Sequence, residues 1–471
     1  MKDRVAKSRK MKDTAFKTSL LYERSILLMT YDTASEPSAA AGAPLNETLE
    51  HLLVSLPMEA ASSSRSRGRP VSLSAWHLSL AVLVCLLRGL HSQAEVWRLI
   101  AFFGVGPLPR LPLSDQAVYD RLEQDGICAF QAFFGQLSAW LATRLAPYED
   151  RRLAAFATGV VALDESVLDQ VKRWVAWVRE VPNGDSRLLP GRLVGLFDVR
   201  LQQWRRLDVL LDATANCKMH ARAMLSGLAQ GTLILFDRGY FSFPWLDDLS
   251  QQGYWYVSRT VGKTSYQMLH IHYQADGVFD ALVYLGRYRS DQAAQVARLV
   301  CFRVGSQRYS YLTNVLDPAV LSIADIARLY ARRWDIELAF RELKEHLGLR
   351  LLWSAKLGVL YQQVWASLLL AQLLHAFQVE LAARAEVDPF DVSLALLTRY
   401  VPRLLAQGED PIAFLLVYGR AMGVIGPSTR KHIQAPVVPL QEVSYPPPEL
   451  IQPRQAHYAH RKCKSRYATQ S

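Results

Sequence analysis

The sequence predicts a mixed α/β fold, in which a helical N-terminal domain leads into a strand-rich core with an all-β insertion. Three observations carry this. Apolar residues keep helical spacing from Ser72 to about Leu145. Short apolar runs punctuated by turn residues begin at about residue 155. Between residues 261 and 316 the runs are short and alternate at the period of strands. Half of the 471 residues are apolar, which excludes a disordered chain and allows two or three packed domains. Residues 1–24 hold eight basic and three acidic side chains, and 451–471 hold five basic and none acidic, so the ends supply +10 of the net +11. A polyanion partner is thus suggested for the ends, and for the nearly neutral body only where basic residues cluster in space.

The most apolar stretches, Leu78 to Leu87 and Val364 to Leu374, fall short of the roughly 20 residues of a spanning helix, so no membrane span is expected. The basic N-terminus lacks the apolar segment of a secretory signal. Cys85, Cys128, Cys217, Cys301 and Cys463 show no paired spacing, which argues against a zinc site or disulfide framework. A cytosolic protein is expected.

Residues 1–70 are expected to be a basic, mostly mobile arm and linker. They end in Arg65-Ser-Arg67-Gly-Arg69-Pro70, where Arg67 and Arg69 resemble the core of a minor-groove hook, although a solvated linker reads the same way. Over 71–150, Ser74, Ser92 with Glu95, and Ser114 open successive helices, a pattern that suits a DNA-binding domain or an inert helical one.

The core is assigned to 151–260 and 317–385. Gly159 to Leu163 is a buried strand ending on Asp164; Leu193 to Val199 and Trp204 to Leu211 follow; Cys217 to Ala229 is a helix; Thr232 to Phe236 is a strand ending on Asp237. In a ribonuclease-H-like fold this β-β-β-α-β order sets the ends of the first and fourth strands side by side. After a fifth strand at Tyr254 to Arg259 come the insertion over 261–316, one long helix from Ser322 to Leu347, and an apolar helix over Gln362 to Ala383. Residues 386–425 form a C-terminal helical segment, and 426–471 a Pro-rich basic tail.

On the long helix Tyr330, Arg333, Glu337 and Lys344 fall within about 60° of one another at ~100° per residue. Taken alone, such a stripe also fits a solvated face. Two aspartates at neighbouring strand ends and a glutamate from a crossing helix would instead offer three hard oxygen ligands around one point. That donor set suits Mg²⁺ or Mn²⁺, and a pair of such ions serves in-line phosphoryl transfer. Asp198, Asp208 and Asp212 compete as carboxylates without matching positions, and His270 with His272 lacks a third ligand.

The helix reads Tyr330-Ala-Arg-Arg333-Trp-Asp-Ile-Glu337-Leu-Ala-Phe-Arg-Glu-Leu-Lys344, with Ala162-Leu163-Asp164-Glu165-Ser166 and Leu235-Phe236-Asp237-Arg238-Gly239-Tyr240 upstream. Over about 155–380 this resembles the DDE transposases of bacterial insertion sequences, in the branch marked by Tyr-(2)-Arg-(3)-Glu-(6)-Lys. The resemblance implies that Asp164, Asp237 and Glu337 are the catalytic, metal-binding triad for Mg²⁺ or Mn²⁺, with two ions. It implies that Tyr330, Arg333 and Lys344 hold DNA near the cut, beside the aromatic Trp334. Trp255 is a candidate for stacking on an unpaired base, and Arg238 and Arg259 are further candidate DNA contacts. The implied activity is cut-and-paste transposition through a hairpin intermediate, on terminal inverted repeats and target DNA in a homodimeric synaptic complex. Two rivals stand beside it: a domesticated, non-catalytic DNA-binding protein, and a ribonuclease-H-like nuclease. The segment with Lys172, Arg173, Trp174 and Trp177 has no place in the family pattern.

Overall fold

Val160 to Leu163 are four apolar residues in succession, and they open a strand buried on both faces at the middle of a large sheet. The computed structural model describes residues 73–458 apart from 106–107, 126, 169–191, 211–216, 261, 263, 289, 350–351, 355 and 428–432. The arm with Arg67 and Arg69, Asp212, the segment with Lys172, Arg173, Trp174 and Trp177, and the basic end past 458 lie outside the described residues.

Strand β1 (Val160–Val167) runs antiparallel to β2 (Arg192–Asp198), which pairs onward with β3 (Gln203–Leu210). On its other side β1 is parallel to β4 (Leu233–Phe236), which is parallel to β5 (Trp255–Arg259). Strands β6 (Tyr266–Ala275), β7 (Val278–Leu285), β8 (Val296–Val304) and β9 (Gln307–Thr313) continue this sheet through β9 against β5. The order is β3-β2-β1-β4-β5-β9-β8-β7-β6, so the inserted strands prolong the central sheet. One correction follows for β1, which runs three residues past Asp164 because β2 keeps pairing with it as far as Val167 and Arg192.

Helices α1 (Ala75–Leu87), α2 (Gln93–Arg98), α3 (Asp115–Gln124) and α4 (Cys128–Leu145) precede the sheet. Ser74, Ser92 and Ser114 cap the first three, each side chain accepting from the N–H three residues on. Between β3 and β5 lie α5 (Cys217–Met224) and α6 (Phe243–Gln251). The expected single helix after the insertion is two, α7 (Ile323–Arg332) and α8 (Trp334–Glu345). At the joint the Arg333 N–H bonds the Tyr330 carbonyl three residues back, a 3₁₀ turn in a stretch without Gly or Pro. The break falls on the residue whose side chain is anchored on β1.

Helix α9 (Leu357–Arg384) holds the layers together. By length and composition it is apolar enough to cross a membrane, yet 72% of its apolar window is buried inside the protein, as in a core helix. Its apolar face shares one cluster with α1, α3, α4 and the sheet. Gln372 on α9 accepts from the Trp204 N–H at 2.7 Å and donates to the Trp204 carbonyl at 3.0 Å, covering the backbone of edge strand β3. At Gly195 on β2 a Cβ would lie 2.5 Å from the Trp204 ring and 2.9 Å from that of Phe340. Glycine therefore lets α8 seat Phe340 against the sheet.

After α10 (Leu394–Ala406) and α11 (Pro411–Tyr418) the chain runs as an extended strap from Ile433 to Tyr458, apart from two single 3₁₀ turns. It is docked at several stations. His270 and His272 both bond the Ser444 carbonyl, Arg454 donates to the carbonyls of Leu285, Gly286 and Ala293, and the Tyr458 hydroxyl bonds Asp247 on α6. The two histidines that the sequence weighed as a metal pair are thus occupied in holding the strap.

Candidate active site

Parallel pairing of β1 with β4 matches Leu163 to Phe236, so Asp164 and Asp237, the next residue on each strand, stand level at neighbouring positions. Pairing of β4 with β5 matches Phe236 to Ser258 and brings Arg259 into the same row. Glu337 comes from the first turn of α8, which packs across β1. Two aspartates and one glutamate far apart in sequence therefore meet along one rim of the sheet.

Arg333 ties them. One guanidinium nitrogen lies 3.1 Å from Asp164 Oδ2 and another 2.5 Å from Glu337 Oε1, with the residue only 8% exposed. Its guanidinium also sits 5.6 Å from the Tyr330 ring centre and 5.7 Å from that of Trp334. Tyr330 is half-buried against Tyr311, and burial raises its hydroxyl pKa, whereas Trp334 is 53% exposed beside the site.

Asp164 Oδ1 accepts from the Glu165 N–H at 2.8 Å. Burial pushes its carboxyl up to about 7; Arg333 and the Glu165 N–H pull it down, while the neighbouring Asp237 and Glu337 carboxylates push it up. Asp237 is half-buried, and its Oδ1 accepts from Gly239 N–H at 2.7 Å at the turn after β4. Glu165, raised by burial, pairs with Arg192 at 2.5 Å. Lys344 reaches β1, donating to Ser166 Oγ and the Val167 carbonyl at 2.6 Å each, so the helical stripe faces the sheet rather than water.

Among the described residues no three His, Cys, Asp or Glu side chains already stand as a closed metal ligand set. Arg333 occupies the space between Asp164 and Glu337. The donor chemistry nonetheless fits a divalent cation, because the three groups offer hard carboxylate oxygens.

The other candidates divide. Arg238 is exposed beside Asp237, and Arg259 is half-buried in the same row. Trp255 is a correction: its register partner is Leu233, so it lies four residues, ~13 Å, toward the other end of the strands, with its ring edge-on to Phe156. It does not reach this site. Asp198 is buried against the backbone N–H groups of Arg200 and Leu201 and the side chain of Arg205, and Asp208 pairs with Arg206 and His220. Sequence reasoning missed the support behind α8, where buried Glu342 bonds His375 Nε2 and His375 Nδ1 donates to the Gln202 carbonyl at 3.0 Å. His375 on the largely apolar α9 was its signal.

Residues 207–373 match the family model described as the transposase DDE domain, a stretch that contains Asp237, Tyr330, Arg333, Glu337 and Lys344. The chain carries a DDE transposase domain of the insertion-sequence type. The protein y4zB of Sinorhizobium fredii (strain NBRC 101917 / NGR234), named as a transposase, is 25% identical over 293 residues, covering 60% of this chain and 75% of its own. A solved piggyBac transposase synaptic complex with hairpin DNA aligns with a TM-score of 0.37 and 9% identity over 83% of each chain. Asp164 lies upstream of the stretch matched by the DDE transposase family model, and it joins the other acidic residues through sheet pairing.

Proposed function

We propose that this chain is a metal-dependent DNA strand-cleaving and strand-transferring transposase, built on a ribonuclease-H-like core with a β insertion. Asp164, Asp237 and Glu337 are its ligands for a pair of Mg²⁺ or Mn²⁺ ions. The single observation that carries this reading is the level placement of Asp164 and Asp237 on adjacent parallel strands, with Glu337 joined to Asp164 through Arg333. When bound, the metal pair would supply charge for the attacking and leaving oxygens of phosphoryl transfer.

The chain's own residues do the positioning. Lys344 fixes α8 to the end of β1 and so sets the height of Glu337. Arg333 neutralises two carboxylates, and with Lys344 it exchanges these partners for phosphates when DNA arrives. Arg238, Arg259 and exposed Trp334 line the approach, with Tyr330 behind Arg333. Arg67 and Arg69 would add minor-groove contacts. The substrates are the terminal inverted repeats of an insertion sequence and target DNA, cut by a homodimer through a hairpin intermediate.

Purified protein incubated with duplex ends from the flanking repeats should cut the strand in Mg²⁺ or Mn²⁺, leave a hairpin product on a denaturing gel, and do neither in EDTA. Equal cutting in EDTA would refute the reading.

A further inference from the structure

Helix α8 carries Glu337, and the 3₁₀ turn at Arg333 parts it from α7, so the docking of α7 does not by itself fix how α8 is rotated. At ~100° per residue, Asp335 and Glu342 lie within about 20° of each other on α8 and roughly 150° round its axis from Glu337. Both are buried. Whatever holds these two residues from behind sets which way Glu337 faces.

One residue of the sheet meets both. Gln202, buried in the turn between β2 and β3, donates from its side-chain amide to Asp335 Oδ2 at 3.0 Å. Its main-chain carbonyl accepts from His375 Nδ1, also at 3.0 Å, and His375 Nε2 bonds Glu342. The same amide nitrogen donates to the Val199 carbonyl at 2.9 Å, and Arg332 bonds both that carbonyl and Asp335. Gln202 stands at φ +54°, in the left-handed region that strains any side chain with a Cβ. Glycine would make this turn without strain, so the turn alone does not account for a glutamine here. Its amide does, because it reaches α8.

We infer that Gln202 is a positioning residue for Glu337, fixing the rotation of α8 through Asp335 in its first turn and, by way of His375, through Glu342 in its last. The inference rests on the reading of Glu337 as a metal ligand proposed above.

The test compares the unsubstituted chain with Q202M and Q202G, each bound to a duplex element end. Mn²⁺ affinity is read from the EPR signal of the free ion, end affinity by fluorescence anisotropy, and cleavage on a denaturing gel. Methionine keeps the bulk and the strained backbone but donates nothing, whereas glycine also relaxes the backbone. The expected result is Mn²⁺ affinity and cleavage lowered alike in both variants, by roughly tenfold, with end affinity kept. Unchanged Mn²⁺ affinity in Q202M, or a parallel loss of end affinity, overturns the positioning role and leaves the metal reading intact. Unchanged Mn²⁺ affinity in E337Q overturns the metal reading and the inference with it.

Discussion

Arg333, at the joint of two helices, and Asp164, on the central strand, form a 3.1 Å ion pair across 169 positions of sequence. The same guanidinium holds Glu337, so the helix that brings the glutamate is docked by the residue that neutralises it. Docking and charge balance are thus one contact, and the predictions below separate them.

Asp164 makes stability depend on pH. Its carboxyl stands at about 7 in the folded protein, chiefly through burial, against 3.8 as the ordinary value. Between those values the folded chain keeps a proton that the unfolded chain has lost, so in EDTA stability should fall as pH rises from about 4 to about 7 and then level off. The fall attributable to this group is at most about 4 kcal/mol. Urea denaturation across pH should show a flatter profile for Asp164→Asn, and parallel profiles would contradict the assignment.

Gly195→Ala should destabilise by about 1–3 kcal/mol, because the added methyl meets two aromatic rings in a packed layer. Since Phe340 belongs to α8, the substitution should also slow DNA cleavage. Chemical denaturation alongside a cleavage assay checks both effects, and unchanged stability would mean that the layer yields without strain.

Behind α8, His375→Leu should destabilise by about 3–5 kcal/mol, because it leaves the Glu342 carboxyl buried without its partner. Replacing both residues with leucine should recover much of that loss. A double-mutant cycle by denaturation measures the coupling, and simple additivity would show that the pair does not act as one.

Arg333→Ala and Lys344→Ala should each weaken binding of a pre-cut DNA end and lower its salt slope by about one phosphate contact. The side chains are held by Asp164, Glu337, Ser166 and Val167 without DNA, so this outcome requires that they change partners. An unchanged slope in both would leave them as internal ties only.

The pairing of the two aspartates was legible because each directly follows a run of apolar residues in a βαβ-type order, and parallel strands bring such positions level. Helical spacing likewise put Arg333 and Glu337 one turn apart, and the 2.5 Å ion pair follows from it. The break at Arg333 was not legible, since the stretch around it holds no Gly or Pro to mark one. Trp255 opens β5, so parallel pairing sets it at the end of the strands away from Asp237, as the register against Leu233 shows. The strap was not legible: a Pro-rich segment carries no periodicity, and its partners are carbonyls of Leu285, Gly286 and Ala293 that the sequence does not mark.

The most direct test of the central claim is strand cleavage at a duplex element end in Mg²⁺ by Asp164→Asn, Asp237→Asn and Glu337→Gln, with folding checked by denaturation and end binding by anisotropy. Three carboxylates serving one metal site predict loss of cleavage in each variant, with end binding nearly retained. Cleavage within about tenfold of the unsubstituted chain in any one of them would remove that residue from the site and contradict the account.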